Sequence, residues 1–292
     1  VNIPDSVTTI GNMAFTGCAL KEINISKNLT EISIPGYTFS GCPAAITVDA
    51  ANPNYSADER GVLYNKDKSL LLHCPNFEKA FTFDINCNID QYAFYNCANL
   101  TDVTFSYAIK KIPYAAFRNC GSLKITTVPD TVRMIDQVAF DGCGMTEFYL
   151  PDSVEYVGTQ AFSSTPLTHF EFNDKVDTFK NIFSICPKLR TVVVGKGIKK
   201  IEIGALGGTN RIDTIYYRGT KSDWDKINVV DVASALKNIK IVYNYGQTSG
   251  VCGDNLTWSL QPDLFQITVE GSGDMYSYDN AEDFTWSSNA DL

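Results

Sequence analysis

The stretch AFTGC at residues 14–18 decides how this chain is read, because close copies of it keep returning. TFSGC occupies 38–42, AFYNC 93–97, AFRNC 116–120 and AFDGC 139–143, followed by AFSST at 161–165, IFSIC at 182–186 and ALGGT at 205–209. Aligned on the corner aromatic, the units fall at Phe15, Phe39, Phe94, Phe117, Phe140, Phe162, Phe183 and Leu206. The steps between them are 24, 55, 23, 23, 22, 21 and 23 residues. A fixed period in the low twenties marks a solenoid, in which no unit buries its apolar face alone and stacked neighbours share one core. The 55-residue step reads as two units carrying an insertion.

Two short apolar phrases recur within each unit. The first, L-x-x-I-x-I, appears as LKEINI (20–25), LTDVTF (100–105), MTEFYL (145–150), LTHFEF (167–172) and LRTVVV (189–194). Its alternation predicts a short strand with one face inward. The second, V-x-x-I, appears as VTTI (7–10), VRMI (132–135), VEYV (154–157) and IKKI (198–201), and leads into the corner. Pro-Asp pairs between the phrases (Pro4-Asp5, Pro129-Asp130, Pro151-Asp152) suit a turn. Residues 49–75 break the pattern: GVLYN and KSLLLHCP read as two strands around Asn65-Lys66-Asp67-Lys68, a hairpin carried on the solenoid. YGQTSGVCGDN loses the period and reads as a boundary. The expected organisation is a mostly β repeat solenoid with a parallel strand ladder over 1–245, then a linker and the start of a small β module over 246–292. The opening VNIPDSV resembles LPDSV at 150–154 and reads as mid-repeat, so the chain is expected to be a fragment whose export signal lies elsewhere.

Composition narrows the function. Of 292 residues, 44% are hydrophobic and 12% aromatic, enough for a sizeable core. The net charge of −9 argues against nucleic acid or an anionic membrane surface as main partner, since both reward clustered Lys and Arg. No apolar run is long enough to span a bilayer.

The cysteines pose a choice between chemistry and packing. Cys18, Cys42, Cys97, Cys120, Cys143 and Cys186 each follow a corner aromatic by three residues. No C-x-x-C grouping suits zinc, and no metal or other cofactor is expected. Neighbouring coils lie within disulfide reach, but parallel side chains point alongside one another. A small buried filler is the favoured reading, and Thr165 and Thr209 at two corners fit it. Cys74, Cys87 and Cys252 fall off this register, the first two at apolar slots.

A catalytic constellation does not emerge. His73 and His169 are the only histidines, and G-x-S-x-G, H-E-x-x-H and Walker-type loops are missing. The acidic group Asp274, Asp279, Glu282 and Asp283 lacks calcium-loop spacing and reads as a solvated loop.

The run IPDSVTTIGNMAFTGCALKEINI resembles the BspA-like (Treponema-type) leucine-rich repeats of bacterial surface proteins. NPNYSADERGVLYNKDKSLLLHCP resembles that family's irregular unit and IYYRGTKSDWDKI its closing unit, so the likeness spans about 1–245. CGDNLTWSL with ITVEGSGDMYSY resembles a segment that follows such repeats in proteins of gut Firmicutes. The resemblance implies a right-handed arc and an extracellular or cell-surface, secreted or wall-attached protein. It further implies a non-enzymatic role in binding macromolecules, several members being adhesins, with no fixed ligand. Thr165, Thr209 and Leu206 depart from the corner pattern.

If the inward positions of the first phrase pack the core, the residues between them form two columns on the open face. One reads Asn24, Thr104, Thr127, Tyr149, Glu171, Val193, Tyr216; the other reads Glu22, Asp102, Ile125, Glu147, His169, Thr191, Thr214. Neither contains a basic residue. Rigid solenoid faces with tyrosine anchors suit proteins or glycans, whether of a host or of neighbouring bacteria. The binding residues expected are Glu22, Asn24, Asp102, Thr104, Glu147, Tyr149, His169, Glu171, Thr214 and Tyr216. The corner ladder of Phe15, Cys18, Phe39, Cys42, Phe94, Cys97, Phe117, Cys120, Phe140, Cys143, Phe162, Phe183 and Cys186 is assigned to structure. A competing reading makes the repeats a spacer that presents the C-terminal module, with Trp258, Tyr276 and Tyr278 meeting carbohydrate.

Overall fold

The computed structural model describes residues 1–274 apart from 77–78, 106–108, 203, 206–211, 231–235, 237–238, 247–248, 254 and 262–265. Leu206, Thr209, Tyr276, Tyr278, Asp279, Glu282 and Asp283 therefore lie outside the described residues, as do the side chains of Cys252 and Trp258.

The chain is a β-solenoid whose regular coils contribute one short strand to each of two parallel ladders. On the first, Glu147–Tyr149, His169–Glu171, Thr191–Val194, Thr214–Tyr217 and Lys240–Val242 form a continuous five-stranded parallel sheet. Earlier coils add the pairs Glu22–Ile25 with Ala45–Val48 and Ala80–Thr82 with Asp102–Thr104. The V-x-x-I phrases build the second ladder, as in Lys111–Ile112, Met134–Ile135 and Tyr156–Val157. Helix is sparse, with short single turns at Pro35–Thr38 and Lys221–Trp224. The latter starts on a capping box, Thr220 accepting from the Asp223 amide while the Asp223 carboxylate accepts in return.

The corner explains the repeating motif. In each regular coil the amides of the residue two before the phenylalanine, of the phenylalanine itself and of the residue two after it all donate to the next coil. Tyr92, Phe94 and Asn96 donate to the carbonyls of Tyr114, Ala116 and Arg118, and Ala115, Phe117 and Asn119 to those of Gln137, Ala139 and Asp141. Keeping these amides on one side requires left-handed backbone at the outer two. The position before each corner cysteine has φ of 66° at Gly17, 60° at Asn96, 62° at Asn119 and 74° at Gly142. Gly and Asn enter that region at least cost, which is why the motif reads F-x-[G/N]-C. Ile185, at φ 62° and 64% exposed, is the β-branched exception.

Within the corner, Phe94, Phe117, Phe140 and Phe162 stack face to face with centroids 4.7, 5.4 and 5.4 Å apart. The thiols lie behind them. Cys120 donates to the Phe94 carbonyl at 3.0 Å, Cys143 to Phe117 at 3.0 Å and Cys186 to Phe162 at 3.2 Å. Each thiol thus satisfies a buried carbonyl of the preceding coil, a task that needs a small donor and no disulfide. Thr165 serves the Phe162 carbonyl of its own corner at 2.8 Å and contacts the Cys186 sulfur at 3.3 Å. Burial raises the thiol pKa of Cys186 and, with its thiol neighbours, raises that of Cys120 well above the ordinary value.

The irregular unit divides the core. Tyr55–Ala57, Leu63–Asn65 and Leu70–His73 form an antiparallel set whose last strand rejoins the second ladder at Asn88–Ile89. Leu63 and Leu72 pack into the N-terminal core with Ile23, Phe39 and Ile46, whereas Val62, Tyr64 and Leu71 face the longer C-terminal core. Strands buried on both sides need consecutive apolar residues, hence VLY and LLL. Cys74, off the cysteine register, stands instead at the place of a corner phenylalanine. Its amide donates to the Ala93 carbonyl at 2.7 Å and its carbonyl accepts from the Cys97 thiol at 3.4 Å, the backbone places held elsewhere by the corner phenylalanine. Beside it His73 is fully buried, its ring 5.4 Å from Phe39 and neither ring nitrogen hydrogen-bonded. Burial drives its pKa down to about 3. Arg60 ties the unit to the next coil, its Nε donating to Asp58 at 2.9 Å and its guanidinium to the Thr82 carbonyl and Asp84 at 3.2 Å each.

The parallel ladder ends at Lys240–Val242, and an antiparallel sheet of Ser249–Gly253, Leu256–Gln261 and Gln266–Gly271 follows.

Candidate functional site

Register fixes which expected face residues stand side by side. Glu147, His169, Thr191, Thr214 and Lys240 form one column of the five-stranded sheet, and Tyr149, Glu171, Val193, Tyr216 and Val242 form the next. Thus Glu147, Tyr149, His169, Glu171, Thr214 and Tyr216 share one surface. Asp102 and Thr104 lie on a separate pair opposite Ala80 and Thr82. Glu22 and Asn24 lie on a third opposite Ala45 and Thr47. There Asn2, Asn24 and Thr47 join side chain to side chain beside a concavity of about 330 Å³.

The columns are broken twice: the irregular unit lies between the first pair and the second, and one coil accounts for the break between the second pair and the five-stranded sheet. In LKITTV (123–128) Ile125 is buried and Thr126 exposed, the reverse of the regular pattern, where the third position faces out and the fourth faces in. Ile125 was expected to face outward; its apolar side chain takes the core instead and turns Thr126 to solvent. This one-residue phase change removes the coil from the ladder. Residues 124–127 form no strand, and Thr127 belongs to neither column, although its hydroxyl donates to the Tyr149 carbonyl at 3.0 Å.

Along the five-stranded sheet a polar line runs from coil to coil. The Tyr149 hydroxyl donates to Glu147 at 3.2 Å, and its ring packs 5.5 Å from His169. His169 Nε2 is 3.8 Å from Glu171, and Arg218 pairs with the same carboxylate. Arg218 also donates to the Phe172 carbonyl at 3.2 Å and lies 3.6 Å from Asp174. Hydrogen bonding by His169, and then the Arg218 charge, hold the Glu171 carboxyl below its usual range although partial burial opposes them. Burial raises the pKa of Tyr149, and the Glu147 charge adds to it.

Two expectations for this face are corrected. It is not free of cations, because Arg218 reaches in from beyond the columns and Lys240 stands in register with Thr214. Nor is Val193 exposed: it is fully buried. Tyr245 explains this. Its amide donates to the Tyr217 carbonyl at 3.1 Å, its ring lies 4.7 Å from Tyr216, and it feels the Glu171 charge, so it spans the column position that Val193 occupies. Sequence reading missed Arg218 and Tyr245 because both lie outside the L-x-x-I-x-I phrase. The aromatic runs IYYRG (215–219) and VYNYG (242–246), which contain them, were the visible signals.

Among the described residues no cluster of three His, Cys, Asp or Glu is arranged to hold a metal, and no helix is long and apolar enough to cross a membrane.

Comparison with known proteins bears on this geometry. A leucine-rich repeat protein from Eubacterium ventriosum ATCC 27560 is 25% identical, with 74% of this chain and 53% of that chain aligned at a TM-score of 0.50. The chain thus spans about half the length of that relative. The pneumococcal vaccine antigen PcpA shares 16% identity over 83% of this chain and 67% of its own, at a TM-score of 0.66, a likeness of fold. No curated protein matches the sequence. The pattern described as BspA type leucine rich repeat region matches in six copies over residues 1–71 and 87–213. The chain belongs to the BspA-type leucine-rich repeat family.

Proposed function

We propose that this chain is a non-enzymatic macromolecule-binding domain of a bacterial cell-surface or secreted protein, gripping proteins or glycans of a host or of neighbouring bacteria through the five-stranded open face. The observation that carries the reading is the connected line Glu147–Tyr149–His169–Glu171–Arg218, which fixes charged and aromatic groups on a rigid sheet. Groups already ordered lose little entropy on binding, and tyrosine supplies contact area with few rotors. Opposite charges paired within the line leave Glu147 and the 39% exposed Tyr149 as its outward features. Family membership favours a secreted or surface location.

The test is a binding screen of the chain against extracellular-matrix proteins, mucins and polysaccharides, with Tyr149→Ala and Tyr149→Ala/Tyr216→Ala run alongside. Saturable binding weakened by Tyr149→Ala supports the reading. The separate antiparallel sheet at 249–271 favours one alternative, a spacer presenting that module. Binding that survives both tyrosine variants and disappears from a 1–245 fragment would select the spacer.

A further inference from the structure

We propose that the break in the open-face ladder is a docking slot for an extended polypeptide segment, which pairs with the exposed backbone as an added strand. The inference rests on the open face being a binding surface and goes further by naming the partner's chemistry.

The slot follows from the phase change at LKITTV. Between Asp102–Thr104 and the next coil, the backbone hydrogen bond seen on this face among the described residues runs from the Lys124 amide to the Thr101 carbonyl at 3.1 Å. In the regular coils the corresponding strands pair along their length, as His169–Glu171 does with Thr191–Val193. Among the described residues no acceptor takes the amides of Ile125 and Thr127, which alternate with Thr126, whose carbonyl accepts from the Tyr149 amide of the following coil at 2.8 Å; a concavity of about 630 Å³ lies over this segment. Asp102, Thr104 and Phe105 line one side, with Lys124, Thr126 and Asp130 opposite.

Such groups select their ligand. Every second amide of an extended backbone faces the same edge, so the matching carbonyls of another extended backbone repeat at about 6.6 Å, two residues of about 3.3 Å each. Exposed strand edges are templates for pairing of this kind. A phosphate or sulfate is disfavoured, because Asp102 and Asp130 both border the slot. The same two carboxylates against Lys124 favour a segment flanked by cationic residues.

Exchanging two adjacent residues tests the idea directly. Ile125→Thr/Thr126→Ile converts LKITTV to LKTITV, which restores the L-x-x-I-x-I phase and should close the ladder. The probe is the peptide Ac-Lys-Thr-Val-Thr-Val-Lys-amide, titrated to millimolar concentration into the ¹⁵N-labelled full chain and followed by amide resonances. The expected result is saturable shifts centred on residues 125–128, with about tenfold weaker binding by the exchanged variant and by a peptide N-methylated at alternate backbone nitrogens. Absence of shifts at 125–128, or shifts that persist with the methylated peptide, overturns the proposal. Shifts at these amides driven by protein concentration alone would assign the slot to a second copy and also overturn it. The methylated peptide decides the matter even if the exchanged variant does not fold. Tyr149→Ala is expected to leave these shifts intact, so failure of the slot and failure of the tyrosine face are read separately.

Discussion

Arg218 and Glu171 stand forty-seven residues apart in the chain, yet form an ion pair across the open face, both about a quarter exposed. The pair reaches across the intervening strand Thr191–Val194. Arg218→Ala and Glu171→Gln are each expected to destabilise the chain by about 1–3 kcal/mol. A double-mutant cycle in urea should return a favourable coupling of about 1 kcal/mol or more. Additive single effects would show that the two residues stabilise independently.

Buried thiols predict a labelling pattern. With burial raising their pKa, Cys120 and Cys186 should resist alkylation in the native protein, while the half-exposed Cys18 reacts first. Mass spectrometry of peptides after brief iodoacetamide treatment reads this directly. Rapid native labelling of Cys120 would contradict the corner geometry.

Ile185 should be improvable. It holds φ 62° where the other corners that end in cysteine use Gly or Asn, and it is 64% exposed, so little burial is at stake. Ile185→Asn is expected to stabilise by about 1 kcal/mol, seen as a higher urea midpoint at unchanged slope. The reciprocal Asn119→Ile should destabilise by more, since it also removes the 2.9 Å amide bond to Asn96.

His73 predicts a pH dependence. Its ordinary pKa of 6.5 falls to about 3 in the folded chain because burial disfavours the charged ring. The unfolded state therefore binds the proton more readily between these values. The stability associated with neutral His73 is fully present above pH 6.5 and is lost progressively as pH falls towards 3. At pH 5 the loss is about 2 kcal/mol relative to neutral pH. His73→Phe should remove that difference; identical pH profiles for the two proteins would contradict it.

Much of this was legible in the sequence. Phe-x-x-Cys at a period in the low twenties announces the coil, and the L-x-x-I-x-I phase places Glu147, Tyr149, His169 and Glu171 outward. The LKITTV slip was legible too, since its apolar residue stands third instead of fourth, but aligning by spacing alone hid it. The role of Gly or Asn before the corner cysteine could have been read from their shared tolerance of positive φ. Arg218 and Tyr245 could not, because what they touch depends on how the closing unit crosses the ladder. Cys74 was obscured in another way: its corner role lies in its backbone, while its side chain interrupts the phenyl stack.

The ladder break also makes the rod mechanically uneven. At that joint, among the described residues, one backbone bond, from Lys124 to Thr101, crosses the open side, while Tyr92, Phe94 and Asn96 stay bonded to the next coil at the corner. Bending therefore meets least resistance in the direction that parts the open side, with the corner acting as the spine of a book.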